Sequence, residues 1–175
     1  QELQDFLYRI GTPEANAASV AEHALMLILS LARRVVPVST LVRHGEWRVR
    51  GESPTFDVAG RTVLVIGFGR IGTRVSRLCA AFGMRVLVHD PFIPAGTIRG
   101  AGYEAVVERD AGLAAADIVT VHVPSNDKTR RMVNASFLGA MKPGAILINT
   151  ARGTLVDEPA LVAALQSGHV AAAGV

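Results

Sequence analysis

The feature that most constrains the fold is a short β-rich run that passes directly into a glycine turn and then into a helical segment. The run is TVLVI over residues 62–66, the turn is GFGRIG over residues 67–72, and helical periodicity covers residues 71–82. A second β-rich run, at residues 85–89, ends on Asp90-Pro91, where proline prevents an ordinary helical continuation. The pattern predicts two parallel strands joined by a right-handed helical crossover.

The same alternation continues along the chain. Further strands are predicted at residues 118–122, 145–149 and 170–175, with helices near residues 111–116, 135–141 and 158–167. This order predicts an α/β fold, a doubly wound parallel sheet covered by helices on both faces. A chain of 175 residues is too short for two ordinary domains. We therefore expect one domain over residues 1–175, with its sheet in residues 61–175.

Residues 1–60 lack strand signals. Residues 19–22 (SVAE) have the form of a capping box, which predicts a helix over residues 20–34 with apolar residues on more than one face. Over residues 38–60 the period is lost and glycine and proline accumulate around Trp47, which predicts an extended arm or loop.

Composition argues against several classes of protein. The formal charge is +3, but the arginines are scattered, so a nucleic-acid-binding module is not favoured. The longest apolar stretch, residues 24–31, is shorter than the roughly 20 residues that span a bilayer. Cys79 is the only cysteine, so we expect a buried, inert thiol, no disulfide and no metal site. The first ten residues lack the regions of a secretory signal, and it is the chemistry inferred below that leads us to expect a cytoplasmic protein.

The glycine turn has the G-x-G-x-x-G form of a dinucleotide-binding (Rossmann) site. Gly67 would make the tight turn, Gly69 would let the backbone approach a pyrophosphate, and Gly72 would let helix and strand pack closely. The backbone amides of Arg70 and Ile71 would hold the pyrophosphate at the helix start. A glycine-rich turn without a ligand is the alternative.

Asp90 strengthens this interpretation. It lies at the end of the second strand, about 20 residues after the glycines, where a carboxylate accepts hydrogen bonds from ribose hydroxyls. A carboxylate there also repels a 2′-phosphate, which favours NAD over NADP. A turn cap or helix cap is the other possible role. His89 and His122 also end strands, and we assign neither a proton-transfer role.

Arg152 follows the predicted strand at residues 145–149, at the ligand-binding edge of the sheet. Its planar guanidinium can donate two parallel hydrogen bonds to a carboxylate. Pairing with a structural acid such as Asp157 is the alternative, and spacing alone leaves both open.

Three segments together resemble the D-isomer-specific 2-hydroxyacid dehydrogenases: GFGRIG at residues 67–72, DIVTVHVP at residues 117–124 and KPGAILINTARGTLVD at residues 142–157. The resemblance extends from residue 15 to residue 175. It implies an NAD-dependent oxidoreductase that acts on a D-2-hydroxy acid, with 3-phosphoglycerate as the first candidate. The alternatives are another Rossmann enzyme and a non-catalytic, NAD-sensing corepressor on the same scaffold.

The resemblance also implies roles for single residues. Arg152 would be the catalytic residue that holds the substrate carboxylate and the C2 oxygen. The implied cofactor contacts are Gly67, Gly69, Arg70, Ile71, Gly72, Asp90, Val123, Pro124, Thr129, Thr150, Ala151 and Arg152. The family's catalytic histidine and glutamate match no residue of this chain and are expected beyond residue 175. We therefore expect a fragment that binds NAD weakly, lacks the substrate domain and belongs to a homodimer formed through the leading helix and arm.

Overall fold

The structure, a computed structural model, describes residues 16–46 and 55–175. A six-stranded parallel sheet forms its centre, in the order β3-β2-β1-β4-β5-β6. The strands are β1 (Thr62–Ile66), β2 (Arg85–His89), β3 (Glu104–Ala105), β4 (Ile118–Val121), β5 (Ala145–Asn149) and β6 (Val170–Gly174). The chain winds outward from β1 in one direction and then returns to β4, so the switch point lies between β1 and β4. The predicted doubly wound α/β sheet is confirmed.

Helices cover both faces of this sheet. They are α1 (Ala17–Ala32), α2 (Val35–Arg43), α3 (Arg70–Ala81), α4 (Ala95–Gly100), α5 (Arg109–Ala115), α6 (Ala135–Ala140) and α7 (Glu158–Gln166). Successive strand residues point to opposite faces. Val63 and Val65 therefore pack in a core with α1 and α3, while Leu64 and Ile66 pack in a second core with α5, α6 and α7. All five residues of β5 are buried, as expected for a central parallel strand.

The leading helix differs from its prediction. It begins at Ala17 rather than at residue 20, its N-cap is Asn16, and no side chain in residues 16–46 and 55–175 caps it. Ser19 therefore lies inside the helix, and the predicted capping box is wrong. Burial of Ala17 and Ala21 accounts for the extra turn, because the helix continues as long as it buries apolar surface.

The predicted arm is partly helical. Arg34 adopts a left-handed conformation (φ 49°) and separates α1 from α2, so residues 38–43 are helix rather than loop. Trp47 and the rest of residues 47–54 lie outside the described residues. No single described helix is long and apolar enough to span a membrane, although α1 and α2, bent by 60°, pass that test as a pair.

The remaining predicted strands and helices are confirmed to within about two residues. No sequence pattern predicted α4 or β3, which have only six and two residues. Cys79 is fully buried in α3, as predicted, and burial raises the pKa of its thiol to about 12.

Candidate cofactor and substrate site

The glycine turn lies between β1 and α3, at the carboxyl edge of the sheet. Gly67 has φ +95°, and a Cβ on it would lie 2.8 Å from the His122 carbonyl oxygen. A Cβ on Gly72 would lie 1.9 Å from the Gly67 carbonyl oxygen. By contrast, nothing lies within 4 Å of a Cβ on Gly69. Two glycines are thus required by packing, while the third leaves an open face for a ligand.

The start of α3 suits an anion. Gly69 is its N-cap, no side chain of the described residues bonds to its free amides, and no acidic residue lies in its first turn. Unsatisfied amides and the positive end of the helix dipole both favour negative charge. The residues present therefore fit a pyrophosphate at Gly69, Arg70 and Ile71.

Asp90, at the end of β2, is hydrogen-bonded to the glycine turn. Its Oδ2 accepts a hydrogen bond from the Phe68 amide at 2.8 Å, and its Oδ1 accepts one from the Phe92 amide at 2.9 Å. The turn-cap interpretation is therefore correct for this residue. Each carboxylate oxygen keeps another lone pair, so the ribose contact is compatible with these bonds and stays a prediction.

The two strand-end histidines bond within the protein. His122 Nε2 lies 2.8 Å from Thr120 Oγ1, and burial lowers the pKa of His122 to about 4. His122 is therefore neutral at pH 7. His89 Nδ1 lies 3.0 Å from the Val106 carbonyl oxygen, which can only accept, so Nδ1 carries the proton. These bonds fit the expectation that neither histidine transfers a proton in catalysis.

The loop after β4 contains three predicted cofactor contacts. Thr129 Oγ1 donates to the Pro124 carbonyl at 2.6 Å and accepts from the Asn126 amide at 2.9 Å, so it closes its own loop. Val123 is half-buried and Pro124 is exposed at the edge of the sheet. Contact of these residues with the cofactor stays a prediction.

The loop after β5 is shaped by a residue that the sequence analysis did not single out. Asn149 is 6% exposed. Its Oδ1 accepts from the Ala151 amide at 3.1 Å, and its Nδ2 donates to the Arg152 carbonyl at 2.9 Å. Thr150 Oγ1 is buried without a hydrogen-bond partner among the described residues. A polar residue that ends a strand of apolar residues was the available signal for Asn149.

Arg152 itself is exposed, and its Nη1 donates to the Ala151 carbonyl at 2.8 Å. Within residues 16–46 and 55–175 it forms no ion pair. Asp157 pairs with Arg131 instead, at 3.0 Å between Oδ2 and Nη2. The alternative pairing of Arg152 with Asp157 is therefore wrong.

Five of the twelve predicted site residues line two clefts, whereas the other seven line neither of them: Gly67, Ile71, Gly72, Asp90, Val123, Pro124 and Thr129. Thr150, Ala151 and Arg152 line a cleft of about 560 Å³ whose other wall is α1, with Ser19 and His23. Those two α1 residues were missed by the sequence analysis, which treated α1 only as packing and dimer surface. Gly69 and Arg70 line a second cleft of about 670 Å³. In the part of the chain that the structure describes, no three His, Cys, Asp or Glu side chains form a metal-ligand cluster.

The strand order, the glycine turn and Asp90 define a Rossmann dinucleotide-binding domain. Residues 25–175 match the family described as "D-isomer specific 2-hydroxyacid dehydrogenase, NAD binding domain". The chain belongs to this family, and its cofactor is NAD.

Known proteins agree with this assignment. The D-3-phosphoglycerate dehydrogenase of Mycobacterium leprae is 40% identical over 165 residues, which cover 94% of this chain and 31% of that protein. The structure of the pyruvate reductase of Chlamydomonas reinhardtii superimposes with a TM-score of 0.82 at 36% identity, covering 90% of this chain and 46% of that one. The D-mandelate dehydrogenase of Rhodotorula graminis superimposes with a TM-score of 0.84 at 29% identity, covering 92% and 49%.

The chain thus spans about a third of the bacterial phosphoglycerate dehydrogenase and under half of the two solved enzymes. The activity of a whole relative does not pass to this chain by similarity alone. The corepressor alternative and the other Rossmann enzymes receive no support from these relatives.

Proposed function

We propose that this chain is the NAD-binding domain of a D-2-hydroxyacid dehydrogenase, which interconverts a D-2-hydroxy acid and its 2-keto acid. One observation carries the proposal. Arg152 is an exposed cation without an acidic partner among the described residues, and it lines the cleft beside Thr150 and Ala151. An arginine in this state is available to bind a substrate carboxylate.

The proposed roles follow from position. The amides of Arg70 and Ile71 hold the pyrophosphate, Asp90 bonds to the ribose, and Val123, Pro124 and Thr129 border the adenosine side. Bound NAD supplies the hydride acceptor. Thr150 and Ala151 border the nicotinamide. Arg152 donates hydrogen bonds to the substrate carboxylate and to the C2 oxygen. These bonds hold C2 in a fixed orientation relative to the nicotinamide ring, which favours hydride transfer.

We place the general base outside this chain. His122 is neutral and bonded to Thr120, and His89 donates to a backbone carbonyl. His23 lines the cleft but lies on α1, where none of the family motifs quoted above falls. A histidine supported by a glutamate, from the part of the enzyme beyond residue 175, would take the hydroxyl proton.

3-Phosphoglycerate is the first substrate candidate, because the bacterial relative is named for it. The two solved enzymes are named for pyruvate and mandelate, so the test also includes small and aromatic 2-keto acids. We also propose a homodimer formed through α1, α2 and the arm. Val35 and Val36 are 48% and 71% exposed, which fits a contact surface on α2, and sedimentation of the full-length protein tests it.

The test of function is NADH oxidation by the full-length protein with a panel of 2-keto acids. Arg152→Ala should lower kcat/KM by about 10²-fold or more, because a charge-assisted bidentate bond is lost, and Arg152→Lys should retain part of the activity. Arg99→Ala, an exposed arginine on α4, is the matched control and should behave as wild type. His23→Gln should leave kcat unchanged. A large fall in kcat in this variant would instead identify His23 as the general base. Full activity of Arg152→Ala would refute the assigned role.

A further inference from the structure

We propose that Asn149 is the positioning residue that orients Arg152 toward the substrate carboxylate. This inference rests on the proposed function and deepens it. Asn149 is the last residue of β5, directly before the loop that carries Arg152. It pairs with Val121 of β4, so its backbone belongs to the centre of the sheet.

Both polar atoms of the Asn149 side chain bond to that loop. Oδ1 accepts from the Ala151 amide at 3.1 Å, and Nδ2 donates to the Arg152 carbonyl at 2.9 Å. One side-chain amide thus contacts the Thr150–Ala151 peptide and the Arg152–Gly153 peptide, which flank the Ala151–Arg152 peptide. Because the Asn149 side chain is 6% exposed, water competes weakly for these bonds. Asn149 also lines the same cleft as Arg152 and keeps a second N–H and a second lone pair, so a direct contact with the acid is the alternative to action through the loop.

Arg152 depends on this arrangement. Its backbone is extended (φ −146°, ψ 139°), and its guanidinium bonds only to the Ala151 carbonyl at 2.8 Å among the described residues. No ion pair within the described residues holds the guanidinium. The direction in which the side chain leaves the loop is therefore set by the backbone of Ala151 and Arg152, the two residues that Asn149 contacts.

The substitution Asn149→Asp isolates this role. Aspartate has nearly the same shape and keeps an acceptor for the Ala151 amide, but it replaces Nδ2 with an oxygen that faces the Arg152 carbonyl. Two acceptors repel each other, so the loop must shift around Arg152. Asn134→Asp is the matched control: Asn134 caps α6 by accepting from the Phe137 amide at 3.1 Å, and aspartate serves equally well there.

The experiment measures steady-state kinetics of the full-length protein, with the most active 2-keto acid of the panel, and NADH binding by fluorescence. Asn149→Asp should raise KM for the acid at least tenfold while the Kd for NADH stays within about twofold of wild type. Asn134→Asp should leave both unchanged. In the Arg152→Ala background, Asn149→Asp should have almost no further effect, because the residue through which it acts is absent.

An unchanged KM for the acid in Asn149→Asp would overturn the proposal. So would an equal rise in KM when Asn149→Asp is introduced into wild type and into Arg152→Ala. The second outcome would mean that Asn149 acts independently of Arg152, either by direct contact with the acid or through stability of the fold, and thermal denaturation distinguishes these two cases. If the wild type reduces no acid, the proposed function fails. Calorimetric titration of pyruvate in the presence of NADH then tests the positioning role. We expect Asn149→Asp to bind pyruvate at least tenfold more weakly than wild type does. Equal binding by the two proteins, or no binding by wild type, would overturn the proposal.

Discussion

Replacing Gly69 by alanine should separate cofactor binding from folding. Gly69 has φ −78°, which alanine adopts freely, and a Cβ there meets no atom within 4 Å. Replacing glycine by alanine at the N-cap lowers the stability of the fold by up to about 1 kcal/mol. The lower conformational entropy of the unfolded chain raises the stability by a similar amount. We therefore expect the free energy of unfolding to change by less than about 1 kcal/mol.

The same methyl group should weaken NADH binding strongly. It would occupy the open face where the pyrophosphate is proposed to approach the α3 amides. Displacing the phosphate would break one or two charge-assisted hydrogen bonds, each of about 1.5–3 kcal/mol. An increase in the Kd for NADH of tenfold to more than 10²-fold is expected.

Gly72→Ala is the contrasting variant. Its Cβ would lie 1.9 Å from the Gly67 carbonyl oxygen, so backbone must move, and we expect a loss of about 3 kcal/mol in stability. Urea unfolding followed by circular dichroism measures the stability of both variants, and NADH fluorescence measures binding. A folded Gly69→Ala protein that binds NADH as tightly as wild type would refute the proposed pyrophosphate contact.

Two further predictions concern ionisable groups. Partial burial would raise the pKa of Asp117, but the bonds from Lys142 and the Thr62 amide, with the charges of Lys142 and Arg61, lower it overall. A lowered folded pKa stabilises the protein above the unfolded value of about 3.9, and this contribution is lost as pH falls through the folded value. Lys142→Met should thus cost about 1 kcal/mol at pH 7 and less at pH 3 in urea unfolding, and a pH-independent difference would contradict this. Cys79, with its pKa near 12, should resist a thiol reagent at pH 8 until urea unfolds the protein, whereas rapid reaction of the native protein would contradict its burial.

The sequence was most informative where one local pattern determined the structure. The β-rich runs of β1, β2 and β5 and the glycine turn needed no tertiary information, because burial on both faces requires continuous apolar strands. The end of α1 and the start of α2 did need it, since Arg34 interrupts a helical sequence by adopting a left-handed conformation. The two-residue β3 is defined only by its pairing with β2, and two residues are too few to show a strand periodicity in the sequence.

The candidate site divides in the same way. Residues that lie in a motif, such as Gly69 and Arg152, were predicted directly. Asn149, which we propose acts through loop geometry, was not, because a bond between a side chain and a backbone atom three residues later depends on the turn. His23 and Ser19 reach the cleft only because α1 packs beside β5 and β6. The contacts of the single residues with NAD, the dimer and the cytoplasmic location stay predictions.

The most direct test of the account is the configuration of the product formed by the full-length protein from NADH and a 2-keto acid, determined by chiral chromatography. We expect NADH-dependent formation of the D-2-hydroxy acid, which is lost in Arg152→Ala. An L-2-hydroxy acid, or no reduction of any 2-keto acid despite tight NADH binding, would contradict it.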